Sequence, residues 1–260
     1  MRRPTLKSSL SALLLTLGSL ALVPSCAENN SSLFAMGVMR LDPATCIAKA
    51  DDTATLLAGG ILDIAFRSNY TGFILVGNQL TERGSREQLR TETSRIVLRG
   101  AEVILTTVDG KTTLGNYSTI GTGFVHAASA DVPGYSAMSV DIIPSALGAS
   151  DAVRQAGTVL AKIRVFGDTL GNTAVTSSEL DFPIRICEGC LVTYPNTAID
   201  QTLPPGSAYK CTITPSAAQA TDEEPPCIYG QDDSFECTAC SGALSICRDP
   251  AQNPSYGPSP

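Results

Sequence analysis

The sequence of 260 residues has no tryptophan and one histidine. Chemistry that needs two imidazoles from one chain is therefore excluded. Aromatics are sparse, with 7 phenylalanines and 7 tyrosines. That disfavours carbohydrate binding, which relies on exposed aromatic platforms. Basic residues are few, 18 against 25 acidic ones, and three of the 18, Arg2, Arg3 and Lys7, lie in the first 25 residues. A chain starting at Cys26 would carry a net charge of −10. Nucleic-acid binding needs a basic face, so that function is not expected. No apolar run reaches the roughly 20 residues of a membrane-spanning helix. There is no G-x-S-x-G elbow, no GxxxxGK[ST] loop and no EF-hand spacing. Present instead are nine cysteines, a 43% hydrophobic content and long stretches of alternating polarity.

The N-terminus reads as an export signal. Arg2, Arg3 and Lys7 precede a mostly apolar run over residues 10–23. That run is too short to span a bilayer and fits the h-region of a signal peptide. The boundary Leu22-Val23-Pro24-Ser25-Cys26 places a small residue directly before cysteine. It resembles a bacterial lipobox, although Pro24 departs from the usual pattern. The expectation is a leader over 1–25, with Cys26 the lipidated first residue carrying a diacylglycerol and an N-acyl chain. The other outcome is an ordinary signal peptide cut nearby. Removing Cys26 from the count leaves eight cysteines, an even number. Ala27 stands where an aspartate would suggest inner-membrane retention, which favours the outer membrane. Residues 26–32 form a polar tether, and from Ala27 to Ser32 it reaches at most about 20 Å.

A period of two dominates the middle of the chain. Leu180, Phe182, Ile184 and Ile186 alternate with polar residues, as do Met138, Val140 and Ile142 and the set Leu62, Ile64 and Phe66. Val159, Ala161, Ile163 and Val165 form a similar face. Pro183 points to an edge strand or a bulge. Phe73-Ile74-Leu75-Val76 reads as buried on both faces. In residues 96–105 the phase flips at Gly100, a bulge signature. Val108-Asp109-Gly110-Lys111 reads as a hairpin turn. Residues 34–41 read as a first strand, and 144–155 as the one helical stretch. Residues 81–95 read as a solvated mixed-charge connection. Helical crossovers for parallel units are missing. The expectation is a mainly β protein: an antiparallel immunoglobulin-like β-sandwich over 33–186. Tyr135, after Pro133-Gly134, is a candidate tyrosine corner.

Cys187, Cys190, Cys211, Cys227, Cys237, Cys240 and Cys247 crowd the last third, and Cys46 stands alone. Seven is odd, so a fully paired module must reach back to Cys46. One bridge is expected from Cys46 to Cys187 or Cys190; the remaining pairings stay open. Two CxxC pairs, Cys187/Cys190 and Cys237/Cys240, could hold zinc or act in redox exchange. Export to an oxidising compartment favours disulfides, and no metal is expected. The expectation is a small loop-dominated module over 187–247, stapled by disulfides in place of a core, then a flexible tail over 248–260.

His126 could serve a catalytic triad, but a polar residue on a strand is the plainer reading. Asp51-Asp52 and Asp232-Asp233 read as solvated loop acids, and Gly59-Gly60 as a turn before a strand at Ile61. No catalytic residue is assigned.

Several runs carry a resemblance: Cys26-Ala27-Glu28-Asn29-Asn30, Val76-Gly77-Asn78-Gln79-Leu80, Arg90-Thr91-Glu92-Thr93-Ser94-Arg95, Val165-Phe166-Gly167-Asp168-Thr169-Leu170-Gly171 and Cys187-Glu188-Gly189-Cys190-Leu191. The chain resembles an uncharacterised family of Gram-negative exported lipoproteins. That likeness implies a lipid-anchored envelope protein and supplies no activity. The expected role is a non-enzymatic structural or binding module at the outer membrane. Its partners would be the membrane through the anchor, and envelope proteins or surface polymers. The alternatives are an exported enzyme or carbohydrate-binding domain with a cleft near His126, or a metal- or redox-dependent module on the CxxC pairs.

Overall fold

The computed structural model describes residues 32–85, 90–130, 132–194, 225–240, 244–248 and 250–255. The leader, Cys26, Cys211 and parts of the 81–95 connection and of the tail lie outside the described residues.

The chain is mainly β, with antiparallel pairing dominant. Four strands form one sheet: β1 (Leu33–Met39), β2 (Leu56–Leu57), β4 (Tyr70–Asn78) and β7 (Gly134–Ile143), in the order β2-β1-β4-β7. A six-stranded sheet contains β3 (Gly60–Asp63), β5 (Ile96–Thr107), β6 (Thr113–Val125), β8 (Thr158–Thr169), β9 (Ala174–Thr176) and β10 (Leu180–Cys187). Its order is β3-β10-β8-β5-β6, with β9 paired to β8. Val38, Ile74, Met138 and Val140 from the first sheet share one buried cluster with Leu98, Val103, Ile163 and Phe182 from the second. Each such side chain contributes about 1.5–3 kcal/mol on leaving water.

Alternation places β7, β8 and β10. In each, the apolar set is buried and its neighbours are less so. Ile74, Leu75 and Val76 are all buried in β4, as a continuous apolar run requires. The register between β5 and both its neighbours slips between Leu98 and Gly100, so the phase flip is a bulge. Asp109-Gly110 turns β5 into β6, with Gly110 at φ 68°.

Three local expectations are corrected. The alternation at Leu62, Ile64 and Phe66 does not make a strand through 66. β3 stops at Asp63, whose carboxylate accepts from Ala65 N (3.1 Å) and turns the chain away. β10 is not an edge strand along its length, because β3 pairs with it in parallel from Ile184 onward. Pro183 sits one residue before that ladder starts, where its missing N–H costs no bond to β3. The helical stretch is two short helices, α1 (Ser145–Gly148) and α2 (Asp151–Ala156), with Ser150 Oγ accepting from Val153 N at the start of α2.

Beyond β10, β11 (Val192–Thr193) and β12 (Phe235–Glu236) pair in parallel. A 3-10 turn, Cys237–Ala239, and a short helix α3, Ser245–Arg248, follow. This region does have apolar packing. Leu191, Val192, Phe235 and Ile246 cluster with three cysteines, and Ile61, Ala65 and Phe66 pack against them. The cysteine-rich segment thus borrows core from β3 and the turn after it.

Candidate functional site

The disulfide map differs from the expected one. Cys46 bonds Cys227, with Cα atoms 5.3 Å apart, and Cys187 bonds Cys190. Gly189, at φ 77°, lets Cys187-Glu188-Gly189-Cys190 turn back on itself, so neither sulfur is left for Cys46. A Cβ on Gly189 would also fall 2.2 Å from Asn253 Oδ1. The second CxxC does not close the same way: Cys240 bonds Cys247, and Cys237 is also disulfide-bonded.

Asp63 organises the first CxxC loop. It is fully buried. Its Oδ1 accepts from Gly189 N (2.7 Å) and its Oδ2 from Leu191 N (3.0 Å). Among the described residues, Asp63, Cys187 and Cys190 are the grouping of ligand types close enough for a metal. Here the two sulfurs are joined to each other, and the carboxylate is occupied by backbone donors. Such a carboxylate is satisfied by its hydrogen bonds and serves the turn.

Asp232 ties the same segment to the main core. Its φ is 62°. Tyr70 Oη donates to both carboxylate oxygens (2.8 and 3.0 Å), and Ile61 N donates to Oδ1 (2.8 Å). Gln231 Nε2 donates to Thr71 O (2.8 Å), and Gln231 Oε1 accepts from Thr71 N (3.1 Å). The pair of residues thus caps the start of β4. Burial raises the Asp232 carboxyl above the usual range, and the bonds from Ile61 and Tyr70 pull it back only in part. Burial, and then the Asp232 charge, push the Tyr70 hydroxyl up. Asp233 bonds Arg40 at 2.8 Å nearer the surface. The expected solvated pair is therefore solvated only at Asp233. Asp51, by contrast, is a loop acid bonded to Thr53 and Lys49.

His126 follows β6 and is exposed. Its Nδ1 lies 3.1 Å from the Arg95 guanidinium. A triad gives that nitrogen to a carboxylate; here it faces a cation. Within the mixed-charge connection, Glu92 accepts from Arg83 N and Gly84 N (2.9 Å each). Those bonds and burial act in opposite directions on Glu92, and its carboxyl ends below the usual range. Tyr135 packs edge-on against Phe34.

A surface that sequence reasoning missed lies on β6. It ends the larger sheet, and among the described residues its ladder partner is β5 alone. From Thr113 to Val125 it holds no charge and no proline. Ile120 is 88% exposed and Phe124 57%. Both lie on the solvent face: Ile120 is opposite Gly100, which is opposite Phe166, and Phe124 is opposite Val97. A groove beside the strand is lined by residues 119–122 together with Ser139 and Asp141 of β7. The signal in the sequence is the uncharged run itself, whose glycines break the alternation that marks the other strands.

No protein-family model matches the chain, and no curated protein matches it.

Proposed function

We propose that the chain is a lipid-anchored module of the bacterial cell envelope. Cys26 would hold it at the outer membrane, and it would act by binding or as a structural part rather than by catalysis. The observation that supports this most is the cysteine chemistry. Every cysteine among the described residues is disulfide-bonded. That is the state of an exported chain in an oxidising compartment. The leader-like N-terminus and the resemblance to exported Gram-negative lipoproteins agree with it. In this reading the two sheets around one core are an immunoglobulin-like sandwich, and the module's partners are envelope proteins or surface polymers. The alternative of a catalytic or sugar-binding cleft at His126 draws less support, because its Nδ1 faces Arg95.

The test is the intact mass of the native protein extracted from membranes, with and without reduction. The expected result is acyl mass on Cys26 and a gain of eight hydrogens on reduction. An unacylated N-terminus, or thiols free before reduction, would overturn the proposal.

A further inference from the structure

We infer that the end of the two-sheet core where the tether enters is a docking face for the phosphate-bearing headgroup layer of a membrane. The inference rests on the anchor reading and adds which face of the protein meets the lipid.

Ser32 is where the tether meets the fold. Its carbonyl accepts from Gln79 N (2.8 Å), and Leu33 pairs with Asn78 at the end of β4. Asn78 Nδ2 donates to Ser94 O (2.9 Å), which brings the start of β5 to the same end. Leu170, just past β8, donates its N–H to Arg95 O (2.8 Å). Ala128 N donates to Leu80 O (2.8 Å), so the turn between Ser129 and Val132 lies there too. The opposite end is a full β5 away, 12 residues or about 40 Å of strand. The tether from Ala27 to Ser32 reaches at most about 20 Å. Wherever the rest of an anchored chain points, this end stays within that reach of the lipid.

What the end displays suits that neighbour. Leu170 is 49% exposed and Val132 58%, two apolar side chains on separate loops. Arg83 and Arg90, on the connection from β4 to β5, are exposed and enter no ion pair with a described residue. Glu92 does not neutralise them, because its carboxylate accepts from the N–H groups of Arg83, Gly84 and Ser94. At the opposite end the exposed cations are paired, Lys49 with Asp51 and Lys111 with Asp109. A guanidinium donates to two phosphate oxygens at once. An apolar side chain beside it enters the boundary between headgroups and acyl chains. A short linker holds such a face at millimolar effective concentration, so a patch too weak to bind lipid from solution is occupied once anchored.

The chain has no tryptophan, so a single introduced indole reports its own surroundings. The test uses the full chain extracted from membranes. It is reconstituted into vesicles of phosphatidylethanolamine and phosphatidylglycerol, with and without phospholipid brominated near the headgroup. Flotation isolates the anchored fraction. There, Leu170→Trp and Val132→Trp are expected to be quenched by the brominated lipid. Val108→Trp, at the far turn, is expected to stay unquenched. Arg83→Glu together with Arg90→Glu is expected to abolish the quenching and leave flotation unchanged. Floated protein with Leu170→Trp and Val132→Trp unquenched, quenching no greater than that of Val108→Trp, or quenching that the arginine changes leave intact would overturn this inference alone. Protein that does not float would overturn the anchor reading, and this inference with it.

Discussion

Asp232 and Asp63 are acids doing the work of backbone. Each accepts N–H groups from a segment far away in sequence, and neither has that role written in its neighbours. Asp232-Asp233 looks in the sequence like a loop pair; only the fold brings Tyr70, 162 residues away, onto it. Asp232→Ala is expected to leave the Ile61 N–H and the Tyr70 hydroxyl without their partner and to cost about 1–3 kcal/mol. The urea midpoint checks this. Asp232→Asn keeps an acceptor and suits the positive φ, so it should cost less. The two variants also differ with pH. The folded pKa of Asp232 is raised, so its contribution is full below the unfolded value near 3.8 and is lost as pH rises through the folded pKa. Urea titrations at pH 4 and pH 7 should show Asp232→Asn gaining on the wild type at the higher pH. Glu179, lowered first by its hydrogen bond from Lys162, has the opposite sign and loses its contribution as pH falls.

Among the elements, those with one polar and one apolar face were legible. β7, β8 and β10 could be read because every second residue meets the core. The Gly100 flip was legible as well, since a bulge moves the inward phase by one. β6 was not, because Gly115, Gly121 and Gly123 occupy inward or half-inward places where alternation would have shown a side chain. The end of β3 was hidden for another reason: Ile64 and Phe66 keep the alternation in sequence while packing on a turn. Gly100 offers a test at this scale. A Cβ there would fall 2.2 Å from Thr119 O, a backbone atom of the paired strand. Gly100→Val should therefore shift the ladder and destabilise the protein by about 3 kcal/mol, within the upper range for backbone clashes. A lower thermal midpoint, with loss of amide protection in β5 and β6, is the expected reading.

Across the whole molecule, the two sheets were legible as a class and the cross-links were not. Pairing depends on which chain ends meet, and parity alone does not say. The bridges also differ in worth. Cys46–Cys227 spans 181 residues and Cys187–Cys190 spans 3. Chain entropy gives about 5 kcal/mol for the first and about 2 for the second. Replacing Cys46 and Cys227 together by serine should lower the urea midpoint well beyond what the same change at Cys187 and Cys190 does. Equal losses would mean that the short bridge acts through its turn and Asp63 rather than through loop closure.

The same pair of bridges sets a timetable. A chain delivered from its N-terminus presents Cys46 first, and Cys227 arrives only after Cys187 and Cys190 have passed. For all that interval Cys46 is a thiol waiting among earlier suitors. The CxxC closes within its own turn, over a separation of 3 residues against 181 for Cys46–Cys227, and so withdraws two competitors before the right partner appears. β3 waits as well, since the strand it joins in parallel begins at Leu180. The first strand of the larger sheet thus completes its ladder only after the later strands, and an early-closing CxxC keeps that lateness from becoming mispairing.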